Sequence, residues 1–219
     1  MVRVICVIIG YLCGLLQTGY LYGKLNHIDI RQHGSGNAGT TNALRTLGFK
    51  AGLITFLGDC LKTVLAAAIV YFIFHKTYDD MIVLLCFYAG MGCVLGHNFP
   101  FYLGFKGGKG IAATAGLILS FGCWQLTLIG FLTFVISVAI TRYVSVGSLL
   151  LVWGFLVELI VFGQMGMYEV SAQYLPEIYA IGAFLTLLAT WKHRANIKRL
   201  IHGTENKLGA KKKEEVSEK

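Results

Sequence analysis

Long apolar stretches separated by short polar ones run along almost the whole chain. A helix needs roughly 20 apolar residues to cross the hydrocarbon core of a bilayer. The apolar stretches predict membrane-spanning helices at residues 4–22, 51–74, 81–99, 111–121, 126–140, 144–166 and 178–191. The pattern therefore predicts an all-α, polytopic transmembrane helical bundle with about seven spans.

Two of these stretches, 111–121 and 126–140, are short for a full crossing. Together they would also suit a helical hairpin that does not cross completely, so five spans plus a short hairpin is the alternative count. The first stretch, 4–22, is longer than the apolar part of a secretory signal peptide and lacks an A-x-A cleavage pattern. It is predicted to be a retained first span.

The composition also favours folding in lipid. Of 219 residues, 56% are hydrophobic and 14% are charged, whereas a soluble domain carries about 25% charged residues. We expect one membrane domain over residues 1–208 and a basic, disordered cytoplasmic tail over 209–219, where apolar residues are few. The six cysteines lie in apolar stretches without C-x-x-C spacing, so neither a disulfide framework nor a metal site is predicted.

Basic residues are concentrated in particular loops. In a soluble protein the net charge of +8 would suggest a nucleic-acid partner, but no aromatic-basic stripe accompanies it, and loops facing anionic lipid explain it better. With seven spans and the N-terminus outside, 16 of the 19 Lys and Arg residues fall in cytoplasmic segments. The positive-inside rule therefore places the C-terminus and the polar segments 34–47, 96–110 and 193–207 on the cytoplasmic side.

The first polar segment is a glycine-rich loop. Its glycines allow backbone N–H groups to converge on an anion, and the guanidinium of Arg45 matches phosphate oxygens. Neutral hydrogen-bonding groups come from Ser35, Asn37, Thr41 and Asn42. The alternative is a flexible turn with a helix cap at Thr41 or Asn42.

The second polar segment, 96–110, looks at first like a P-loop. It is not one, because the first P-loop glycine would fall on Leu103, and Gly110 stands where Ser or Thr is required. Its glycine-rich turn nevertheless carries Lys106 and Lys109 and leads into an apolar helix, whose N-terminus would suit a phosphate. The alternative is a basic turn that contacts lipid headgroups.

In the third polar segment His193, Asn196 and Arg199 recur every three residues. A helix would place them along one polar stripe, although a basic interfacial helix end is the alternative. Within the second span, Asp59 and Lys62 lie three residues apart on one helix face and are predicted to form a structural pair that supports the first loop.

Taken together, the three segments resemble the acyl-phosphate:glycerol-3-phosphate acyltransferase (PlsY) family. The family's first motif is similar to residues 34–42 followed by Arg45, its second to 96–110 and its third to 193–207. Order and spacing agree over about residues 1–208. Glu205 fits the third motif, in which the glutamate is thought to maintain the fold.

The resemblance implies a membrane enzyme of phospholipid synthesis in the bacterial cytoplasmic membrane. The primary hydroxyl of glycerol 3-phosphate would attack the carbonyl of a fatty acyl phosphate, releasing phosphate and forming 1-acyl-glycerol 3-phosphate. Because acyl phosphate is already activated, neither a cofactor nor a covalent enzyme intermediate is expected. The expected partners are the two substrates and membrane lipids, with no nucleic acid and no prediction about oligomeric state.

The resemblance also assigns roles to residues. Ser35, His193 and Asn196 are expected to be catalytic and Glu205 structural, in addition to the structural pair of Asp59 and Lys62 predicted above from their own spacing. Glycerol 3-phosphate and the phosphate of acyl phosphate are expected to be bound by a larger group: Asn37, Thr41, Asn42, Arg45, His97, Lys106, Gly107, Gly108, Lys109, Gly110 and Arg199.

His193 is the first candidate for the general base, because imidazole titrates near neutrality. His97 is the second, and the substrate's own phosphate is the remaining alternative. The rival functions are a transporter of phosphorylated metabolites and a non-catalytic lipid-binding membrane protein. The sequence shows no internal repeat and predicts no helix break at mid-membrane, and the polar segments collect at one face, which argues against a transporter.

Overall fold

The structure, a computed structural model, describes residues 1–209. Those residues form ten α-helices and four 3-10 turns, with no strand. The turns are Ile30–Gln32, Asp79–Met81, Phe101–Leu103 and Ala172–Tyr174. The helices are α1 (Val2–Gly14), α2 (Thr18–Leu25), α3 (Thr40–Leu47), α4 (Phe49–Phe74), α5 (Ile82–Asn98), α6 (Ile111–Ser120), α7 (Trp124–Thr141), α8 (Val144–Gln164), α9 (Leu175–Lys192) and α10 (Arg194–Ile201). Apart from Gly209, the predicted tail lies outside the described residues.

The predicted helical membrane bundle is confirmed. In the described part of the chain, six helical segments are long and apolar enough to cross a membrane: Val2–Leu25, Phe49–Phe74, Asp79–Leu103, Trp124–Thr141, Val144–Gln164 and Ala172–Lys192. The remaining predicted span is α6, whose ten residues make a helix about 15 Å long. Helix α7 has 18 residues and is long enough to cross. Of the two stretches predicted to be short, 111–121 and 126–140, only the first, which forms α6, is short in the structure.

The first span is broken between α1 and α2, which the apolar pattern of the sequence did not predict. Helix α1 ends at Gly14 and α2 begins at Thr18. Backbone groups at a break must be satisfied inside the protein where no water reaches them. Nε2 of the buried Gln17 donates to the carbonyls of Gly14, at 3.1 Å, and of His97, at 3.1 Å, while Nζ of Lys62 donates to the carbonyl of Leu16 at 2.6 Å.

Helices α1 and α5 form the closest contact in the bundle. A Cβ on Gly92 would lie 2.1 Å from the carbonyl oxygen of Val7, and one on Gly96 would lie 2.2 Å from that of Tyr11. Only glycine permits this approach of two backbones. The contact holds the C-terminal end of α5 against the break in the first span.

Apolar side chains cover both the interior and the outer surface of the bundle. Phe87 on α5 and Phe155 on α8 are almost fully buried in the core. Helix α7 instead exposes large apolar side chains, among them Leu128, Phe131, Val135, Ile136 and Ile140. Such a surface is costly in water and suits contact with lipid.

The polar segments lie at one end of the bundle. The break in the first span, the C-terminus of α5, the N-terminus of α6 and the junction of α9 with α10 all meet there. Residues 203–208 leave α10 and reach the turn between α7 and α8, where Leu208 and Arg142 exchange two hydrogen bonds, of 2.7 Å and 3.0 Å. This end therefore gathers the termini of several helices around one region.

Candidate active site

The first loop is organised by Asn42. This side chain is buried, and its amide donates to the carbonyls of Ile30 at 3.0 Å and His33 at 2.9 Å. Its Oδ1 accepts the backbone N–H of Ser35 at 2.8 Å. With its hydrogen-bonding groups occupied by the loop, Asn42 holds the backbone that presents Ser35 and has little capacity left for substrate.

Other residues of this loop face outward. Ser35 is exposed, and Oδ1 of Asn37 accepts the N–H of Gly39 at 2.9 Å. Helix α3 starts after Gly39 with no side-chain cap, so the alternative of a cap at Thr41 or Asn42 was wrong. Arg45, in the last turn of α3, donates to the carbonyl of Asn206 at 3.2 Å, which links the first polar segment to the third.

The second loop rests on His97. The N–H of Gly108 donates to the His97 carbonyl at 3.1 Å. A Cβ on Gly108 would lie 2.0 Å from Nε2 of the same histidine, and one on Gly107 would lie 2.0 Å from its carbonyl oxygen. These two glycines are therefore required by packing inside the protein, and the buried His97 ring supports the loop from below.

A buried ion pair holds His97 in turn. Nζ of Lys62 lies 2.8 Å from Oδ1 of Asp59 and 3.0 Å from Nδ1 of His97. All three side chains are nearly inaccessible to solvent. Asp59 and Lys62 form a pair, as the sequence predicted. The other contacts of this pair are with the break in the first span and with His97, which supports the second loop. The prediction that it supports the first loop was wrong.

Lys109 stands at the N-terminus of α6. Gly110, the cap residue, has φ of +85°, a conformation that favours glycine, and the helix begins at Ile111. The Lys109 side chain donates to Oδ1 of Asn196 on α10. The pKa of Lys109 is lowered to about 8, chiefly by burial; the nearby Glu205 carboxylate opposes this shift, and the Arg199 and Arg45 cations contribute to it. Lys106 is exposed, and none of the described side chains bonds its amine.

His193 occupies the junction between α9 and α10. It is 2% exposed, and its Nδ1 lies 2.7 Å from the carbonyl of Ala189. Because a carbonyl only accepts, Nδ1 carries the proton and Nε2 is left as an acceptor. Burial and the neighbouring Lys109 cation lower the pKa of His193 to about 4. The ring is therefore neutral at pH 7.

Glu205 ties the third segment together. Its Oε1 accepts Nδ2 of Asn196 at 2.9 Å, and its Oε2 accepts Nε of Arg199 at 2.7 Å. Asn196 is thus held between the carboxylate of Glu205 and the ammonium of Lys109. This arrangement fixes the amide orientation of Asn196 and offsets part of the positive charge at the site.

The three segments form one cluster. Nζ of Lys192 donates to the backbone carbonyl of Asn98 at 3.1 Å, which joins α9 to the end of α5. Burial lowers the pKa of Arg45, and among its neighbours Glu205 raises this pKa while Arg199 lowers it. Among residues 1–209, two guanidinium groups and a buried ammonium thus share the nearby carboxylate of Glu205. The region carries excess positive charge, which suits a phosphate-bearing ligand.

Comparison with known proteins decides the family. A family model described as glycerol-3-phosphate acyltransferase matches residues 4–203 of this chain. The chain belongs to the glycerol-3-phosphate acyltransferase family. The resemblance carried by the three polar segments is thereby confirmed, and the rival functions of transporter and non-catalytic lipid binder are set aside.

Bacterial members of the family align over nearly their whole length. Glycerol-3-phosphate acyltransferase from Clostridioides difficile (strain 630) is 42% identical over 211 residues, covering 95% of this chain and 97% of that protein. The protein of the same name from Halalkalibacterium halodurans is 42% identical over 207 residues, covering 94% and 95%. This chain is therefore similar to complete acyltransferases.

Solved structures agree with the fold. The crystal structure of PlsY (YgiH), an integral membrane glycerol 3-phosphate acyltransferase, in its glycerol 3-phosphate form has a TM-score of 0.80 and 32% identity, covering 94% of this chain and 96% of that one. Its lysophosphatidic acid form has a TM-score of 0.78 and 31% identity. This acyltransferase is accordingly an integral membrane protein.

Sequence reasoning missed three polar residues that build this acyltransferase's site. Gln17 spans the helix break, Lys192 holds the carbonyl of Asn98, and the Asn98 side chain is buried beside Gly110. Gln17 was detectable as a lone amide inside an apolar stretch, and Lys192 as a cation at the end of a span. Asn98 stands within the second motif, but only the tertiary structure shows what surrounds it.

Proposed function

We propose that this acyltransferase moves a fatty acyl group from acyl phosphate to the sn-1 hydroxyl of glycerol 3-phosphate, forming 1-acyl-glycerol 3-phosphate and phosphate. One observation carries the proposal. The N-terminus of α6, with Lys109, lies at the same end of the bundle as Arg45 and Arg199. The α6 terminus with Lys109 suits one phosphate group, and the two guanidinium groups suit another. A reaction between two phosphate-bearing substrates requires two such binding places side by side.

The acceptor and the product have support from relatives. PlsY has been crystallised in a glycerol 3-phosphate form and in a lysophosphatidic acid form. Lysophosphatidic acid is glycerol 3-phosphate with one acyl chain attached. The acyl-phosphate donor rests on the geometry at α6 and on the resemblance of the motifs.

Acyl phosphate is proposed to bind with its phosphate at the N-terminus of α6. The first intrahelical bond there runs from Thr114 N–H to the Gly110 carbonyl at 2.7 Å. The N–H groups of residues 111–113 therefore have no acceptor within the helix, and the helix dipole favours an anion at this point. Lys109 adds a cation directly before Gly110, and the exposed Lys106 adds charge at the entrance.

Glycerol 3-phosphate is proposed to bind between the first and third segments. Arg45 and Arg199 supply guanidinium groups for its phosphate. Ser35, Asn37 and Thr41 supply neutral hydrogen bonds from the loop that Asn42 organises. The primary hydroxyl would then point towards His193 and Asn196, next to the α6 terminus through the contact between Lys109 and Asn196.

The chemical step forms a bond between the attacking hydroxyl oxygen and the acyl carbon, while the bond from that carbon to the phosphate oxygen breaks. The phosphate departs with the bonding electrons. His193 is proposed to orient the hydroxyl as it binds, by accepting its hydrogen bond at Nε2. Because the pKa of His193 is only about 4 in the free protein, a substrate phosphate oxygen is the stronger base. The O–H is therefore proposed to turn from Nε2 to that phosphate oxygen, which takes the proton as the bond to the acyl carbon forms.

The site is proposed to face the cytoplasm. Sixteen of the 19 basic residues lie on that side if the N-terminus is outside and all seven apolar helices, the short α6 included, cross the membrane. Both substrates are charged metabolites whose phosphate groups would reach the site from water, while the acyl chain would lie among the lipids. The membrane is proposed to be the bacterial cytoplasmic membrane, because the relatives that match are bacterial proteins.

The break in the first span does not favour transport. Discontinuous helices in transporters coordinate substrate or ions with freed backbone groups. Here Lys62 and Gln17 occupy the freed carbonyls of Gly14 and Leu16. The break serves the internal structure of the site.

The deciding experiment is a transfer assay with purified protein and radiolabelled glycerol 3-phosphate. Acyl phosphate, acyl-CoA and acyl carrier protein thioester with the same chain are compared as donors. We expect labelled 1-acyl-glycerol 3-phosphate with acyl phosphate and none with the thioesters. Equal rates with acyl-CoA would show that the phosphate site at α6 does not select the donor.

A further inference from the structure

Asn98, the last residue of α5, is the most deeply buried polar side chain near the site without a partner. It is 0% exposed, and neither its Oδ1 nor its Nδ2 has a hydrogen-bond partner within residues 1–209. Buried side-chain amides are nearly always hydrogen-bonded, because an unpaired one loses its bonds to water without replacement. An exception of this kind requires an explanation.

The position of the amide suggests one. It lies against Gly110, the cap residue of α6: a Cβ there would be 3.0 Å from Oδ1 and 3.3 Å from Nδ2 of Asn98. The Asn98 backbone is held independently, because its carbonyl accepts both Nζ of Lys192 at 3.1 Å and the N–H of Gly107 at 3.3 Å. The main chain of Asn98 is thus held by two hydrogen bonds. Its carboxamide, beside the N-terminus of α6, has no partner among residues 1–209.

We propose that Asn98 is a further catalytic residue, whose side-chain N–H donates a hydrogen bond to the acyl-phosphate group of the donor bound at the N-terminus of α6. The inference rests on the proposed function, since it names a contact of the same donor. The bound donor would be the partner of the buried Asn98 amide, which has none among the described residues of the free protein. The second motif then contributes a side chain as well as glycines and lysines.

The chemistry of an amide suits this place. Lys109 and Lys192 already bring positive charge close to Gly110, so a further cation would be repelled. A carboxylate would instead repel the anionic donor. A neutral N–H adds a hydrogen bond to the acyl-phosphate oxygens without either cost, and a preorganised donor of this kind is effective where negative charge develops on the carbonyl oxygen.

The test replaces Asn98 by residues of nearly the same size. Asn98→Leu keeps the volume and removes the polar atoms, and Asn98→Asp keeps the shape but replaces the donor by a charge that repels phosphate. Thr55→Val is the matched control, because the Thr55 hydroxyl in α4 is also buried and has no hydrogen-bond partner among residues 1–209. Full-length variants are purified in parallel, and initial rates and thermal unfolding are measured for each.

We expect Asn98→Leu to lower kcat/KM for acyl phosphate by about 10- to 100-fold, the usual value of one hydrogen bond to a charged group. Asn98→Asp should lower it at least as much. The KM for glycerol 3-phosphate should be unchanged, and the unfolding temperature of Asn98→Leu should be equal or higher, since no hydrogen bond of the free protein is lost. Thr55→Val should keep wild-type kinetics.

A role limited to the fold gives the opposite pattern. Wild-type kcat/KM for acyl phosphate in a folded Asn98→Leu variant would overturn the proposal. Should Asn98→Leu fail to fold, Asn98→Asp provides the same kinetic comparison. Failure of the proposed function is distinguishable, because the wild-type protein itself would then show no transfer from acyl phosphate.

Discussion

Lys109 makes the activity of this acyltransferase depend on pH in a defined direction. Burial lowers its pKa from 10.5 to about 8. As pH rises through 8 the ammonium loses its proton, and the α6 terminus loses the cation next to the proposed phosphate site. Binding of acyl phosphate should therefore weaken on the alkaline side, while Arg45 and Arg199 keep their charge.

The size of the effect follows from the titration. With a pKa of about 8, roughly nine-tenths of Lys109 is protonated at pH 7 and roughly one-tenth at pH 9. If only the protonated form binds donor productively, kcat/KM for acyl phosphate falls about tenfold between these values. The KM for glycerol 3-phosphate should change much less.

Loss of stability would not produce this fall. Between pH 8 and 10.5 the unfolded chain keeps the Lys109 proton while the folded protein has released it. The unfolded state binds more protons in this window, so the contribution of Lys109 to stability increases with pH. Activity and this contribution to the free energy of unfolding move in opposite directions.

The assay measures initial rates at pH 6.5–9.5 with saturating glycerol 3-phosphate and a correction for spontaneous hydrolysis of acyl phosphate. Lys109→Arg should remove the alkaline decrease, because a guanidinium stays charged over this range. Lys106→Arg is the matched control and should retain the wild-type profile, since Lys106 is exposed. A wild-type profile that stays flat to pH 9.5, or an equal decrease in Lys109→Arg, would refute the reasoning.

Three further predictions concern other parts of the site. His193→Ala should lower kcat by about tenfold or more, because it removes the hydrogen bond that Nε2 accepts. The factor should be the same at pH 6, 7 and 8, because the His193 ring is neutral throughout this range. Rate–pH profiles of the wild-type protein and the variant measure both effects. Glu205→Ala should lower the free energy of unfolding by about 1–3 kcal/mol, because Arg199 loses its charged partner. Glu205→Gln should lower it less. Chemical denaturation in detergent measures both variants. Single cysteines at Ser35 and Lys106 in a cysteine-free protein should both react only from the cytoplasmic face, and labelling from opposite faces would contradict a shared site.

Much of the fold was predictable because span length and apolar content are local properties. Six of the seven predicted stretches correspond to segments long enough to cross, and the seventh, 111–121, is short as expected. The break between Gly14 and Thr18 was not predictable, because no proline occurs there and a lone Gln17 in a mostly apolar stretch does not by itself interrupt a helix. It exists because Gln17 and Lys62, the latter on α4, satisfy the freed carbonyls.

Assigning roles to residues needed the tertiary structure. Asn42 and His97 were expected to bind substrate, yet Asn42 is bonded to its own loop and His97 supports Gly108 from beneath. The motif pattern cannot separate these roles, because a residue that shapes a loop and one that contacts ligand are equally polar. Burial and hydrogen-bond partners make the distinction.

The sequence by itself determined that the protein folds in lipid, how many apolar helices it has and which three polar segments identify the family. Each of these depends on composition and spacing along the chain. Only the tertiary structure decided which groups lie together. Lys109 meets Asn196 across 87 positions, and Arg45 meets Asn206 across 161. The pKa values of Lys109 and His193 follow from that assembly, because burial and neighbouring charge exist only after the helices have packed.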